Sequence, residues 1–403
     1  MKHAAANARR LSCVLALCST LSVAANATEP LVAGITRATD LRLVPSASRD
    51  AGETTPIVVS AQDATYIKVH LGQFDLPRGV TLEVSSPDGT QVHRYSSQAR
   101  DAHTVDAGLD EDGRSRFGVM SIHGDTAILR LTGTAEEAWD GHRGVQVAHY
   151  DEGLPLDQVA GPAAVSPAEG AAAGTRAICG AHDLQPVACL AGNDRQAYNA
   201  ARPVARLLIG GRLLCTAWRV SSDNRLFTNN HCFNSAAGVA STEVWFNHEA
   251  ARCGSGIPAA VTKVSGATLL KTDAALDYSL FTVNQFATIA RFGHLGLDVG
   301  TPRPGQEIFV PQHPGGRLKE LSVTSDAQGG GRCTLISTTV NSGRDASYSC
   351  DTQGGSSGSP VIGRASNRVV ALHHLAWGNC TNSGARIDLI WPQVKQYFNN
   401  VVP

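Results

Sequence analysis

Gly354-Gly355-Ser356-Ser357-Gly358-Ser359-Pro360, running on into Val361-Ile362, is the stretch on which the reading of this chain turns. A flexible Gly/Ser linker seldom runs into Pro-Val-Ile between two half-buried strands. Glycines permit a tight turn that points consecutive backbone N–H groups at one spot. A serine hydroxyl becomes a useful nucleophile only when a base takes its proton and nearby donors hold the developing oxyanion. Ser357 is therefore the candidate nucleophile, with the N–H groups of Gly355 and Ser357 as the oxyanion donors, each worth a few kcal/mol.

A base and an orienting acid are found upstream. Leu226-Phe227-Thr228-Asn229-Asn230-His231-Cys232 reads as a strand leading into His231. Cys232 can bond to Cys215, which would close a loop worth roughly 3 kcal/mol and hold the imidazole still. Leu213 to Val220 and Arg225 to Thr228, with Ser222-Asp223-Asn224 between, read as a hairpin. In Thr272-Asp273-Ala274-Ala275-Leu276-Asp277-Tyr278-Ser279-Leu280-Phe281 there are two carboxylates. Asp277 is preferred to Asp273 because the apolar continuation after it is what a buried aspartate beside a strand should show. A carboxylate accepting from an imidazole N–H fixes the tautomer and stabilises the imidazolium.

Farther out, the 403 residues exceed one ordinary domain, and 42% hydrophobic with only 17% charged residues argues against a disordered chain. A net charge of −1 excludes a globally basic nucleic-acid binder, and no stretch is apolar for long enough to span a membrane. Neither His-Glu-x-x-His nor Cys-x-x-Cys occurs, so no metal is expected, and no cofactor motif is found. Lys2, Arg9 and Arg10 precede the apolar stretch Leu11 to Ala25 and an Ala25-Asn26-Ala27 cleavage pattern, so residues 1–27 are expected to be a signal peptide and the chain secreted, to the periplasm or beyond. Losing Cys13 and Cys18 leaves eight cysteines, all beyond residue 178, an even set for an oxidising compartment.

Charge divides at the same place. Residues 28–176 carry 12 basic and 21 acidic groups, net −9, whereas 177–403 carry 19 basic and 14 acidic, net +5. Between them, 161–176 is small, Gly/Ala/Pro-rich and ends at Arg176, as an exposed, protease-accessible linker would. Upstream, Ile57 to Val59, Tyr66 to Leu71, Val80 to Val84, Gln91 to Tyr95, Ala127 to Leu131 and Val145 to Tyr150 alternate as strands of a cysteine-free β-sandwich. Residues 28–176 thus read as a β-rich propeptide that covers the active site of 177–403, or else as a permanent binding module. The acidic-to-basic contrast and the linker favour the propeptide.

Taken together, the His, Asp and Ser motifs in that order resemble the chymotrypsin-like serine endopeptidases. The nearest branch is the bacterial lysyl-endopeptidase type, with glutamyl endopeptidases as cousins. Asn230-His231-Cys232, Asp277-Tyr278-Ser279-Leu280 and Gly355 to Pro360 carry the likeness over 177–403, supported by Gln312-His313-Pro314 and Leu372-His373-His374. It implies an all-β domain of two six-stranded antiparallel barrels with a C-terminal helix of about residues 388–399. It also implies the catalytic residues His231, Asp277 and Ser357, and the disulfides Cys179–Cys380, Cys189–Cys253 and Cys215–Cys232, leaving Cys333–Cys350 as an additional pair. The expected function is that of a secreted, monomeric serine endopeptidase acting on polypeptides and activated by loss of its own propeptide. The alternative is a catalytically inactive homologue used as a binding or adhesion protein. Digestive relatives carry an aspartate just before the nucleophile that pairs with a freed N-terminus; here Ser356 stands there, so activation should need only propeptide removal.

Substrate readers are several. Lysyl-specific relatives bind the substrate ammonium with an aspartate whose best match here is Asn382, a neutral amide. Asp351, six residues before Ser357, is the candidate reader for Lys or Arg. His373 or His374 matches the histidine with which glutamyl endopeptidases bind a carboxylate, and because side chains alternate along a strand only one of the two can face the pocket. Leu375-Ala376-Trp377-Gly378 would supply an edge for pairing with extended substrate.

Overall fold

The computed structural model describes residues 30–43, 55–136, 143–159, 176–178, 180–377 and 381–403. The expected signal peptide, nearly all of the expected linker and the Cys179–Cys380 pair lie outside the described residues. The described part is β-rich throughout, and no helix in it is long and apolar enough to cross a membrane.

Residues before 160 build two antiparallel sheets packed face to face. One runs in the order Ile57–Ser60, Thr126–Gly133, Val80–Ser85, Val92–Ser96. The other runs Gly34–Leu43, Gly144–Gly153, Tyr66–Asp75, Phe117–Val119, His103–Thr104, with Ile122–His123 also on the Tyr66 strand. Alternation explains the arrangement: Ala127, Leu129 and Leu131 turn inward and meet Val69, Leu71, Phe117 and Val147 from the facing sheet. Each such buried aliphatic or aromatic side chain contributes about 1.5–3 kcal/mol. Gly34–Leu43 had not stood out as a strand, since its burial is confined largely to its two ends.

Beyond residue 184 the chain forms two barrels. In the first, Leu213–Arg219, Val204–Ile209, Thr242–Phe246, Thr262–Asp273, Tyr278–Val283 and Leu226–Thr228 follow one another, and Leu226–Thr228 pairs back onto Leu213–Arg219 through Trp218↔Phe227 and Arg219↔Leu226. In the second the order is Ile308–Gln312, Pro360–Gly363, Arg368–Trp377, Thr381–Arg386, Asp345–Tyr348, Leu335–Thr339, and a bridge between Glu307 and Thr334 brings the two ends together. Phe227, Tyr278, Leu280, Ile362 and Leu372 fill the seam between the barrels. Cys189–Cys253, Cys215–Cys232 and Cys333–Cys350 are bonded. The C-terminal helix runs Ile387–Val394 and tightens to a 3-10 turn over Lys395–Phe398. Asp388 supplies it with no side-chain cap; both its carboxylate oxygens take Arg386 instead.

Sandwich and first barrel meet through a buried ionic seam. Lys68 Nζ donates to Glu243 Oε1 at 2.6 Å and to the Val119 carbonyl at 2.9 Å, and Ser121 N–H, Ser121 Oγ and Trp245 Nε1 complete the shell of Glu243. Burial opposes ionisation of Glu243, but Lys68 and Lys263 outweigh it and hold its carboxyl down at about 2. Both members of the Lys68–Glu243 pair are shielded from water. Removing one partner strands a buried charge, so Lys68→Ala should cost about 3–5 kcal/mol in urea unfolding, where an exposed pair would cost less than about 1 kcal/mol. A loss no larger than a surface pair's would show that the seam opens to water.

Candidate active site

The hairpin Leu213–Arg219 to Leu226–Thr228 delivers His231 at the mouth of the first barrel, where Cys232 bonds back to Cys215. Asp277 approaches from the turn before Tyr278–Val283. Its φ of 47° lies in the left-handed region that aspartate tolerates better than most residues, and lets the carboxylate swing to His231 while Tyr278 enters the strand. Oδ2 accepts from His231 Nδ1 at 2.7 Å and Oδ1 from the His231 backbone N–H at 3.0 Å. Asn229 Nδ2 holds the Asp277 carbonyl at 2.7 Å. Asp273, the rival, accepts only the Leu276 N–H within its own turn among the described bonds.

Asp277 has a further partner, His374. Its Nδ1 lies 3.0 Å from Asp277 Oδ2 and its Nε2 2.8 Å from Asp345 Oδ2. Burial works against a charge on this ring, yet the two carboxylates outweigh it and lift His374 to about 9. Burial likewise disfavours ionised Asp277, but His231 and His374 donate to it and hold its carboxyl well below the usual carboxylate range. Neighbouring His373 faces the other way, as alternation requires, with Tyr348 Oη 2.7 Å from its Nδ1; burial and the adjacent His374 push it down to about 3.

Ser357 sits on the glycine turn between Thr352–Gln353 and Pro360–Gly363. Gly355 and Gly358, with φ of 90° and 89°, take the conformation a side chain would resist. The Ser357 carbonyl accepts from Thr216 N–H at 2.8 Å and lies 4.0 Å from Cys232 Sγ. Ser357 and His231 thus bracket one disulfide. His231 Nε2 is buried with no hydrogen-bond partner among the described residues. Among those residues, too, no backbone carbonyl takes the N–H of Gly355 or of Ser357. Apo sites often close such bonds only around substrate. Ser356 Oγ donates to Gln312 Oε1 at 2.6 Å, so the position next to Ser357 is neutral and already anchored. Cys215 and Cys232 beside His231 are locked in their disulfide and offer no thiolate to a metal.

The other reader candidates are engaged by the protein. Asp351 is buried, and its Oδ2 accepts the Asp183 N–H at 2.9 Å. Asn382 lies across from Thr352, accepting its hydroxyl at 2.8 Å while donating to the Cys350 carbonyl at 2.7 Å. The backbone of Arg176–Ala177 pairs with Thr352–Gln353, so the end of the expected linker lies against the strand that leads into the glycine turn of Ser357. Two positions carry weight here that the sequence did not single out, Asp345 and Tyr348. Asp345 is an aspartate in an ordinary strand, and only its pairing with Ala385 brings it to His374.

The family model of the lysyl endopeptidase C-terminal domain matches residues 184–389. The secreted RxLR effector protein 73 of Plasmopara viticola is 35% identical over 214 residues, covering 51% of this chain and 52% of that protein, so the chain spans about half the length of that curated relative. Among solved structures, a Glu endopeptidase in complex with MPD has a TM-score of 0.41 at 16% identity, covering 56% of this chain and all of that one. The serine endoprotease from Yersinia pestis has a TM-score of 0.39 at 12% identity, covering 51% and 66% respectively.

Proposed function

Because the chain belongs to the lysyl endopeptidase family, through that family's C-terminal domain, we propose that it hydrolyses peptide bonds with Ser357 as nucleophile, His231 as base and Asp277 as the carboxylate that orients the base. The observation that carries this reading is the double clamp of Asp277 on His231, by ring and by backbone, beside the Cys215–Cys232 disulfide, next to which the Thr216 N–H holds the Ser357 carbonyl. With Nδ1–H committed to Asp277, Nε2 is left as the proton acceptor. His231 takes the Ser357 hydroxyl proton as Oγ bonds to the substrate carbonyl carbon. The N–H groups of Gly355 and Ser357 receive the oxyanion, and the imidazolium returns the proton to the leaving amine as the peptide bond breaks. Water then follows the same path in reverse roles, releasing the acyl group.

A serine-directed phosphonate offered to the processed protein should label Ser357, and labelling should vanish in His231→Ala. Processed protein that neither labels nor cleaves any peptide library would return the chain to the inactive binding or adhesion homologue. Residues 28–176 are, on this reading, a propeptide left behind after the signal peptide of 1–27 is removed, with a maturation cut in 161–176. Three disulfides fit an oxidising, extracytoplasmic compartment.

For the side chain before the cut, His373 is taken over Asp351 on its match to the glutamyl endopeptidase histidine, since both side chains are already engaged by the protein: Tyr348 Oη lies 2.7 Å from His373 Nδ1 and the Asp183 N–H 2.9 Å from Asp351 Oδ2. Asn382 brings no charge to neutralise an ammonium. Sequencing the products of a proteome-derived peptide library tests this. Glu enriched before the cut is the expected result, while Lys or Arg would assign the role to Asp351.

A further inference from the structure

In the first barrel Leu226–Thr228 reaches back only to Trp218 and Arg219, which leaves the opening residues of Leu213–Arg219 with an open edge on that side. Such an edge is a template for another extended segment. The chain fills it itself. Leu31 pairs antiparallel with Leu214 and Val32 with Leu213, and the Ala33 N–H donates to the Arg212 carbonyl at 2.7 Å.

The Leu31 side chain is only 4% exposed and packs with Leu208, Leu214, Tyr66 and Trp245. Its methyl groups also lie over the glycine turn. A Cβ at Gly354 would stand 3.0 Å from Leu31 Cδ1, and one at Gly355 3.4 Å from Cδ2. Gly355 is the position whose N–H would receive the oxyanion, so Leu31 sits within van der Waals reach of the reacting centre.

Two edges flank Ser357. Leu375–Trp377, next to the reader candidates, belongs to the second barrel and suits the residues before the cut. The Leu213–Leu214 edge lies on the first barrel's side, where the residues after the cut would run. We propose that Leu31–Ala33 is a built-in occupant of the leaving-group half of the cleft, and that the same place, once vacated, takes an apolar side chain of the peptide substrate. This rests on the endopeptidase reading. It separates two events that propeptide loss would otherwise merge: cutting the linker frees one end of the sandwich, but the cleft opens only when the strand at Leu31 leaves.

The test uses the full chain with a site for an unrelated protease placed between residues 161 and 175. Three measurements are made on uncut and nicked protein: amide exchange at Leu214 against Leu213, the rate of phosphonate labelling at Ser357, and cleavage of fluorogenic peptides varied after the cut. Nicked protein that keeps its sandwich bound should label within about twofold of the uncut chain. Leu31→Glu, with Leu31→Ala as the milder variant if the first fails to fold, should speed exchange at Leu214, while Leu213, whose N–H faces Val204–Ile209, stays as the internal reference, and should raise labelling at least about tenfold without any cut. Active protein should prefer Leu over Gly close after the cut by about tenfold, the discrimination an apolar pocket gives. Full labelling on nicking alone, or Leu31 variants that expose the Leu214 amide yet label no faster, would overturn the proposal. Protein that labels under no condition, sandwich removed, would instead sink the endopeptidase reading, while the exchange data would still report whether Leu31 covers the edge.

Discussion

Replacing Asp277 by Asn should lower kcat about ten-thousandfold while leaving the fold in place. Three donors converge on this carboxylate: the His231 N–H, His231 Nδ1–H and His374 Nδ1–H. An amide offers one acceptor oxygen in place of two. The His231 backbone N–H has no other tautomer and keeps the amide oxygen at the Oδ1 place, which sets the NH2 at the Oδ2 place, facing both His231 Nδ1 and His374 Nδ1. Donor then faces donor unless the imidazole moves its proton to Nε2, and an Nε2–H can no longer accept from Ser357. Asp273→Asn is the control, because among the described residues that carboxylate holds only the Leu276 N–H in its own turn, and it should change kcat by no more than a few-fold. Comparable damage from both variants would mean that the wrong carboxylate has been assigned.

That Asp277 stands before a buried strand was legible, because Tyr278-Ser279-Leu280-Phe281 carries the apolar pattern such a strand needs. The sandwich strands were legible for the same reason: Thr126–Gly133 alternates strictly where it matters. Gly34–Leu43 escaped because a strand lying on a sheet edge with polar side chains outward has no period to read. His374 was visible as a histidine but not as a partner of Asp277. Its place depends on a register shift between His373 and Leu375 and on a strand pairing that brings Asp345 alongside. The covering of the glycine turn by Leu31 was wholly out of view, since the contact joins residues more than three hundred positions apart and no local pattern encodes it.

His70→Gln and His374→Gln should each destabilise the protein strongly at pH 6 and progressively less toward pH 10. Each of the two units holds one histidine between two carboxylates. His70 lies 2.7 Å from Glu111 and 2.7 Å from Asp151, as His374 does between Asp277 and Asp345. Burial opposes charge on His70 as well, but its carboxylates raise it to about 9. A histidine whose folded pKa lies above its unfolded value of about 6.5 contributes fully below that value, and the contribution is lost as pH rises through about 9. A rise of this size corresponds to roughly 3 kcal/mol for each ring. The wild-type curve alone would not reveal it, because burial depresses Lys263 to about 7. That lysine is costly to keep charged, and stability gains from it as pH climbs between about 7 and its unfolded value of about 10.4. The difference between wild type and each variant cancels Lys263, which both proteins share. Urea unfolding at pH 6, 8 and 10 should therefore show a penalty near 3 kcal/mol for each variant at the lowest pH, shrinking by most of that at the highest. A penalty independent of pH would mean that these rings are held neutral, and that the carboxylate pairs around them, Asp277 included, lack the cation on which the geometry of the site depends.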